Sequence, residues 1–119
     1  MVAVALKGAM KRFTASVHDL DRASITEFCD GCGLTPTTEV VAREQVRVGG
    51  EVRSVRVVPR AGAPALEVTI TDGRGSVTAV FLGRRKIGGV TPGRRISVEG
   101  VPGQVGARLL LYNPLYTLH

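Results

Sequence analysis

From residue 46 onward the chain alternates. In LEVTITDG (66–73), Leu66, Val68 and Ile70 interleave with Glu67, Thr69 and Thr71, the period of a strand with one buried and one wet face. SVTAVFLG (76–83) follows after DGRG, so the two runs predict an antiparallel hairpin with a tight turn. VRVGGEVRSVRVVP (46–59) alternates through Val46, Val48 and Val52, then shifts phase to Val55 and Val57. A phase shift beside a Gly-Gly pair predicts a bulged, strongly bent first strand. PRAGAP (59–64) reads as the loop between this strand and the hairpin. RRKIGGVTPG (84–93) connects the hairpin onward, with room for one helical turn at most. RRISVEGVP (94–102) predicts a fourth strand with Ile96 and Val98 inward, GQVGA a turn, and RLLLYNPLYTLH (108–119) a fifth strand. Pro114 then falls at a sheet edge or where that strand ends.

Ahead of the strands the period changes. SVHDLDRASITEFCDGCG (16–33) predicts a helix: Ser16 with Asp19, and Ser24 with Glu27, have capping-box spacing, and Gly31 and Gly33 are natural stops. Leu20, Ala23, Phe28 and Cys32 fall on or near one stripe, with Ile25 and Cys29 beside it. The helix is expected to pack on the strands, burying Leu20 and Phe28. LTPTTEVVARE links the two parts and ends near Glu44. The expected organisation is a helical extension and linker over 1–45 and a barrel over 46–119. Five short strands, the first of them bent, a central hairpin and a connector before strand four predict an all-β fold: a five-stranded Greek-key barrel of OB type with an N-terminal α-helix. An SH3-like barrel is the nearest alternative; the longer connector and the Gly-bent first strand favour OB.

Several short motifs carry a resemblance. They are Gly50 and Val52 early in strand one, the Asp72-Gly73-x-Gly75 turn, and Phe81-Leu82-Gly83 closing strand three. Pro92-Gly93 before strand four, Val98 and Gly100 within it, and Asn113-Pro114-x-Tyr116 at the end complete the set. Over residues 40–118 the chain resembles the OB-fold family typified by tRNA-anticodon-binding domains and the wedge domain of branch-migrating helicases. It looks closest to short stand-alone OB-fold proteins of high-GC Gram-positive bacteria. The resemblance implies a single-stranded or junction nucleic acid as ligand and no catalysis of its own. Cys29 and Cys32 lie outside the matched region.

Charge sharpens that expectation. The 119 residues carry a net charge of +6, but residues 1–45 hold five Lys/Arg and six Asp/Glu, whereas residues 46–119 hold eleven and four. Ten of those eleven cations are arginine, whose planar fork suits phosphate and whose face stacks on bases. A polyanion partner is therefore favoured for the strand region. A GC-rich coding bias accounts for arginine over lysine but not for the excess. With 44% hydrophobic residues the chain folds as one domain. No apolar run approaches a membrane span, so no membrane partner is expected. The start, MVAVALKGAMKRF, places its charges after the apolar stretch, the wrong order for a secretory signal, and the cytoplasm is the expected compartment.

OB domains bind across strands two and three, between the loops that join strands one to two and four to five. Arg60 falls in the first of those loops and Arg108 borders the second. Arg53 and Arg56 flank the phase shift, and Arg74 caps the hairpin. Arg84, Arg85 and Lys86 follow strand three, and Arg94 and Arg95 precede strand four. If the connector folds back on itself, these last two groups bracket one loop as a single basic rim. Thr69, Thr71 and Thr78 suit hydrogen bonds to phosphate or base, although threonine is also ordinary in strands.

Single-strand binders place aromatic rings on the binding face, and here rings are scarce: Phe13, Phe28, Phe81, Tyr112 and Tyr116, with no Trp. Tyr112 is phased opposite Leu109 and Leu111 and so faces out. Phe81 stacks a base if Thr78, Val80 and Leu82 point inward, and joins the core if Val77, Ala79 and Phe81 do. Binding is then expected to be mostly electrostatic and salt-sensitive.

Cys29-Asp-Gly-Cys32 is half of a zinc site, with no second pair and with His18 and His119 far off in sequence. Two small buried residues at a helix end are the favoured reading, and no metal or other cofactor is expected. His18 beside Asp19 reads as a solvated helix start. The chain has no P-loop, no G-x-S-x-G, no HExxH and no carboxylate pair near a histidine, so no enzyme activity is expected. Two functions remain: a nucleic-acid-binding module for single-stranded DNA or RNA, and a protein-interaction adaptor that docks on a larger DNA- or RNA-processing machine, with its protein partner on the N-terminal helix.

Overall fold

The computed structural model describes residues 20–119, and in it the alternating runs form the middle of one mixed, seven-stranded sheet. The strands are β1 (Val46–Arg60), β2 (Ala63–Thr71), β3 (Ser76–Leu82), β4 (Arg95–Gly100), β5 (Gly103–Val105), β6 (Arg108–Tyr112) and β7 (Leu115–Leu118). Their hydrogen-bonded order is β5-β6-β3-β2-β1-β4-β7. The hairpin pairs from Ala65↔Leu82 to Thr71↔Ser76, as its alternation predicts.

β1 serves two neighbours because it bends. Val46–Glu51 pairs with β4 and Glu51–Arg60 pairs with β2. The register to β2 slips between Val52 and Ser54, so Arg53 is the bulged residue at the predicted phase shift. At the bend the neighbouring backbones come too close for side chains: a Cβ on Gly49 would overlap the Ile96 carbonyl, and one on Gly50 the Thr71 carbonyl.

The described residues form seven strands where five were expected. Gln104–Val105 is not a turn but part of β5, which pairs with β6 around a turn at Gly106 (φ 61°). The expected fifth strand breaks at Asn113-Pro114: β6 runs parallel to β3, and β7 runs antiparallel to β4. Asn113 takes a left-handed φ of 48°, its N–H donates to the Val80 carbonyl, and its side-chain oxygen accepts from the Leu82 N–H. Pro114 has no N–H to continue a ladder, so the chain changes partner there. The hydrogen-bonded order ends at β5 on one side and β7 on the other, and these edges do not pair, so the sheet is open and not closed into the expected barrel.

Cross-strand partners share a face, and the register fixes which face is inside. Leu66↔Phe81, Val68↔Ala79 and Ile70↔Val77 all point into the main core with Val48, Val52, Ile96, Val98 and Leu111. Phe81 is thus core, 6% exposed, with its ring edge-on to Tyr116 at 5.6 Å. The connector adds Ile87 and Val90 to the same core. Burial of each such side chain contributes about 1.5–3 kcal/mol.

The helix α1 runs through residues 20–31; the Ser16/Asp19 box and His18 lie outside the described residues. Its buried face is Ile25 and Cys29, packed with Leu34, with Phe28 and Cys32 alongside. Leu20, expected to be buried, is 63% exposed, because at 100° per residue it sits about 140° around the helix from Ile25. Ser24 is inside the helix rather than capping it. Buried and part-buried hydrogen bonds help fasten α1 to the strands and the hairpin: the Cys29 thiol donates to the Gly49 carbonyl, and the Thr26 hydroxyl donates to the Asp72 carbonyl. Among the described residues no helix is long and apolar enough to cross a membrane.

Candidate nucleic-acid interface

The outward face of the sheet is polar and basic at its centre. Register places Ser54, Arg56, Val58 and Arg60 of β1 beside Thr69, Glu67, Ala65 and Ala63 of β2. Thr78 and Val80 of β3 lie on the other side of β2, followed by Leu110 and Tyr112 of β6. Arg108, two residues before Leu110, shares that face.

Glu67 is the hub of this face. It is only 4% exposed and accepts from Arg60 at 3.0 Å, Arg108 at 3.1 Å and Arg56 at 3.4 Å. Burial alone would raise its pKa, but the hydrogen bonds from Arg60 and Arg108 outweigh that and hold the carboxyl below the ordinary glutamate value. Three arginines against one carboxylate leave a surplus of positive charge, anchored over a small apolar cluster of Ala65, Val80 and Leu110. Arg60 also donates to the Tyr112 hydroxyl at 3.3 Å and lies 5.6 Å over its ring. It therefore ends β1 as a tethered side chain, not as the expected free loop tip. Tyr112 is 47% exposed and is the ring on this face; Phe81, expected as a second stacking candidate, is withdrawn by its place in the core.

A second group lies at the other end of β2. Arg53 on the bulge, Arg74 at the hairpin and Arg22 of α1 surround an open cavity of about 310 Å³, whose lining also includes Thr69, Thr71, Gly73, Gly75 and Ser76. The hairpin tip is set by Asp72, whose carboxylate accepts from the Thr37 N–H and hydroxyl and from the N–H groups of Arg74 and Gly75. Burial by itself would raise the Asp72 pKa; these hydrogen bonds lower it below the ordinary aspartate value. Thr37 begins a 3-10 turn, Thr37–Glu39, so Asp72 staples hairpin to linker. The Thr71 hydroxyl is committed inside the turn, donating to the Gly75 carbonyl and accepting from the Gly73 N–H.

The two double-arginine groups do not form one rim. Arg84, Arg85 and Lys86 follow the end of β3 where Leu82 pairs with Ala65, whereas Arg95 pairs with Glu51, itself opposite Thr71. Six residues of β2 separate those levels, roughly 20 Å. The connector spans the core instead of folding back, because Ile87 and Val90 are buried beneath it. Arg84, Arg85 and Lys86 are exposed. Arg94 donates to the His119 carbonyl, and Arg95 donates to Ser24 and stacks over Phe28 at 5.3 Å, so this pair serves the α1 side.

Sequence reasoning missed Glu67 and Arg22. Glu67 is the lone carboxylate between Glu51 and Asp72 in a stretch holding Arg53, Arg56 and Arg60, and that imbalance was its signal. Arg22 had none, since it belongs to the acidic part of the chain.

Cys29 is buried and Cys32 partly so, and both are free thiols. Burial, then the nearby Asp72, push the Cys29 thiol up to about 11, which keeps it protonated and unreactive at neutral pH. Among the described residues no three metal-ligating side chains converge. Ser97 and His119 lie 3.0 Å apart, but Ser97 is buried within the sheet, so the pair fastens the chain end. No family model matches the chain, and no curated protein matches it significantly.

Proposed function

We propose that this chain is a non-catalytic nucleic-acid-binding module of OB type that holds single-stranded DNA or RNA along the outward face of β1, β2 and β3. The topology supports the fold part. β1 pairs with both β2 and β4, and one continuous segment, β6 then β7, runs beside β3 and then beside β4, as the last strand of an OB fold does. The observation that carries the function is the outward face itself. Arg53, Arg56, Arg60, Arg74 and Arg108 surround β2, Thr69 and Tyr112 lie among them, and Glu67 is the buried anchor of three of the five. Guanidiniums fixed by an internal carboxylate keep donors for phosphate without first being ordered.

Fluorescence-anisotropy titration with single-stranded DNA, single-stranded RNA and duplex at two salt concentrations tests this directly. Single strands are expected to bind more tightly than duplex, and binding to weaken steeply with salt. No binding to any of the three at low salt would overturn it. The adaptor reading is favoured by one observation: with Phe81 in the core, Tyr112 is, among the described residues, the one ring left to stack a base on this face. In that case a protein, not a strand, covers the arginines.

A further inference from the structure

The cavity at the α1 end of the face differs from the rest of it in a way that specifies a ligand. Its three arginines come from three separate parts of the chain: Arg22 from α1, Arg53 from the bulge of β1 and Arg74 from the hairpin tip. No carboxylate belongs to its lining. Among the described residues Arg22 and Arg53 have no ion-pair partner, and Arg74 meets only Asp30, at 3.5 Å, whose side chain is 59% exposed and free to turn into water. The nearest buried carboxylate, Asp72, is occupied by Thr37 and the turn amides and does not line the space. Those amides are therefore spent, and the donors left for a ligand are the guanidiniums with the Thr69 and Ser76 hydroxyls. Three cations around an open space with no carboxylate among the described lining residues form a site for a small, multiply charged anion.

The helix decides what kind of anion. Gly73 (φ 88°) sits so close to α1 that an added Cβ would lie 2.9 Å from the Arg22 carbonyl and 2.8 Å from the Thr26 hydroxyl. α1 thus stands against the hairpin tip at this end of the face, where a strand running along β2 would meet it. At about 310 Å³ the cavity is at the small end of ligand pockets, suited to one nucleotide's phosphate and sugar.

We propose that this cavity holds the terminal phosphomonoester of a nucleic-acid strand, so that the protein recognises a phosphorylated strand end. The inference rests on the nucleic-acid reading above and adds end selectivity to it. A terminal monoester carries nearly two charges and three acceptor oxygens near neutral pH, one for each guanidinium, whereas an internal diester carries one charge.

The test uses the full chain and one short single strand of fixed sequence in three forms: 5′-phosphate, 3′-phosphate and both ends hydroxyl. Free nucleoside monophosphate and inorganic phosphate are titrated by calorimetry as separate arms. One phosphorylated form is expected to bind at least about tenfold more tightly than the hydroxyl strand. Arg22→Ala, a change to a strong helix former at an exposed position, should bring that ratio to about one, with circular dichroism confirming the fold. Arg60→Ala should weaken all three strands and leave the ratio in place. Equal binding of all three forms by the wild type overturns end recognition while the nucleic-acid reading stands. If no strand binds, the nucleic-acid reading fails and strand-end recognition fails with it. Binding of the free phosphates alone then identifies a small-molecule anion site instead.

Discussion

Two arginine trios lie on one face of β2, and they differ in what answers their charge. Arg56, Arg60 and Arg108 converge on the buried Glu67 carboxylate. Arg22, Arg53 and Arg74 surround open space, with one exposed aspartate at its margin. The first trio is ordered by an anion that the protein supplies; the second has no such anion among the described residues. Counting arginines along the sequence cannot separate these cases, because the difference lies in a single side chain, Glu67, and in a helix that reaches the hairpin from another part of the chain. A pre-ordered trio would lose little conformational freedom on binding a phosphate, whereas the open trio would have to be ordered by its ligand.

The largest effect is expected where the open trio is built. Asp72→Ala leaves the Thr37 N–H and hydroxyl and the Arg74 and Gly75 amides without their acceptor. Two buried and two part-buried donors lose a charged partner together, and a loss on the order of 3–5 kcal/mol is expected from urea unfolding. A variant within about 0.5 kcal/mol of wild type would mean that the hairpin tip is held by other contacts.

Glu67→Gln comes next, at about 1–3 kcal/mol, because the three arginines it releases are partly exposed and can turn into water. It also separates charge from order. The substitution raises the net charge by one, so if charge alone drives binding, single-strand affinity rises; if the fixed geometry of the trio matters, affinity falls. The account expects a fall, read by anisotropy at fixed salt.

Acid should report both carboxylates. Asp72 and Glu67 have pKa values held below 3.8 and 4.5, their ordinary values. Each therefore contributes stability that is complete above its unfolded pKa and is lost as pH falls through the lower folded value. Unfolding free energy should be level above about pH 5 and decline below it, and Asp72→Asn should make that decline shallower. An identical acid profile for the variant would remove Asp72 from the account.

How much of this was legible depended on parity and on neighbours. The hairpin of 66–73 and 76–83 was plain, since clean alternation leaves one choice of inner face for β2. The inner face of β3 was not, because Val77-Thr-Ala-Val-Phe is apolar on both parities; only pairing with Leu66, Val68 and Ile70 decides that Phe81 is core. The bulge at Arg53 was signalled by Gly49-Gly50 and the phase shift. The break at Asn113-Pro114 was signalled as a strand end, but not that β7 would begin beyond it on β4. The path of 84–93 was unreadable as a loop, although Ile87 and Val90 at i, i+3 spacing marked a segment that dips into the core. Leu20 was placed on the wrong side of α1 because six apolar positions allowed more than one stripe.

The smallest effect is expected at Arg94, whose guanidinium is engaged with the His119 carbonyl away from the β2 face. Arg94→Ala should change single-strand affinity by less than about twofold, the range of a peripheral exposed charge. A loss as large as that of Arg56→Ala would move the binding path off β2.

The most direct test of the central claim, that the arginines of the β2 face contact phosphates, is the salt dependence of single-strand affinity for the wild type and for the Arg56→Ala/Arg108→Ala double variant. Both side chains are substantially exposed, so the variant should remain folded. Each phosphate contact to a single strand contributes about 0.7 to the slope of log Kobs against log salt, so the double variant should bind more weakly with a slope smaller by roughly 1.4. Wild-type affinity with the wild-type slope in that variant would contradict the claim.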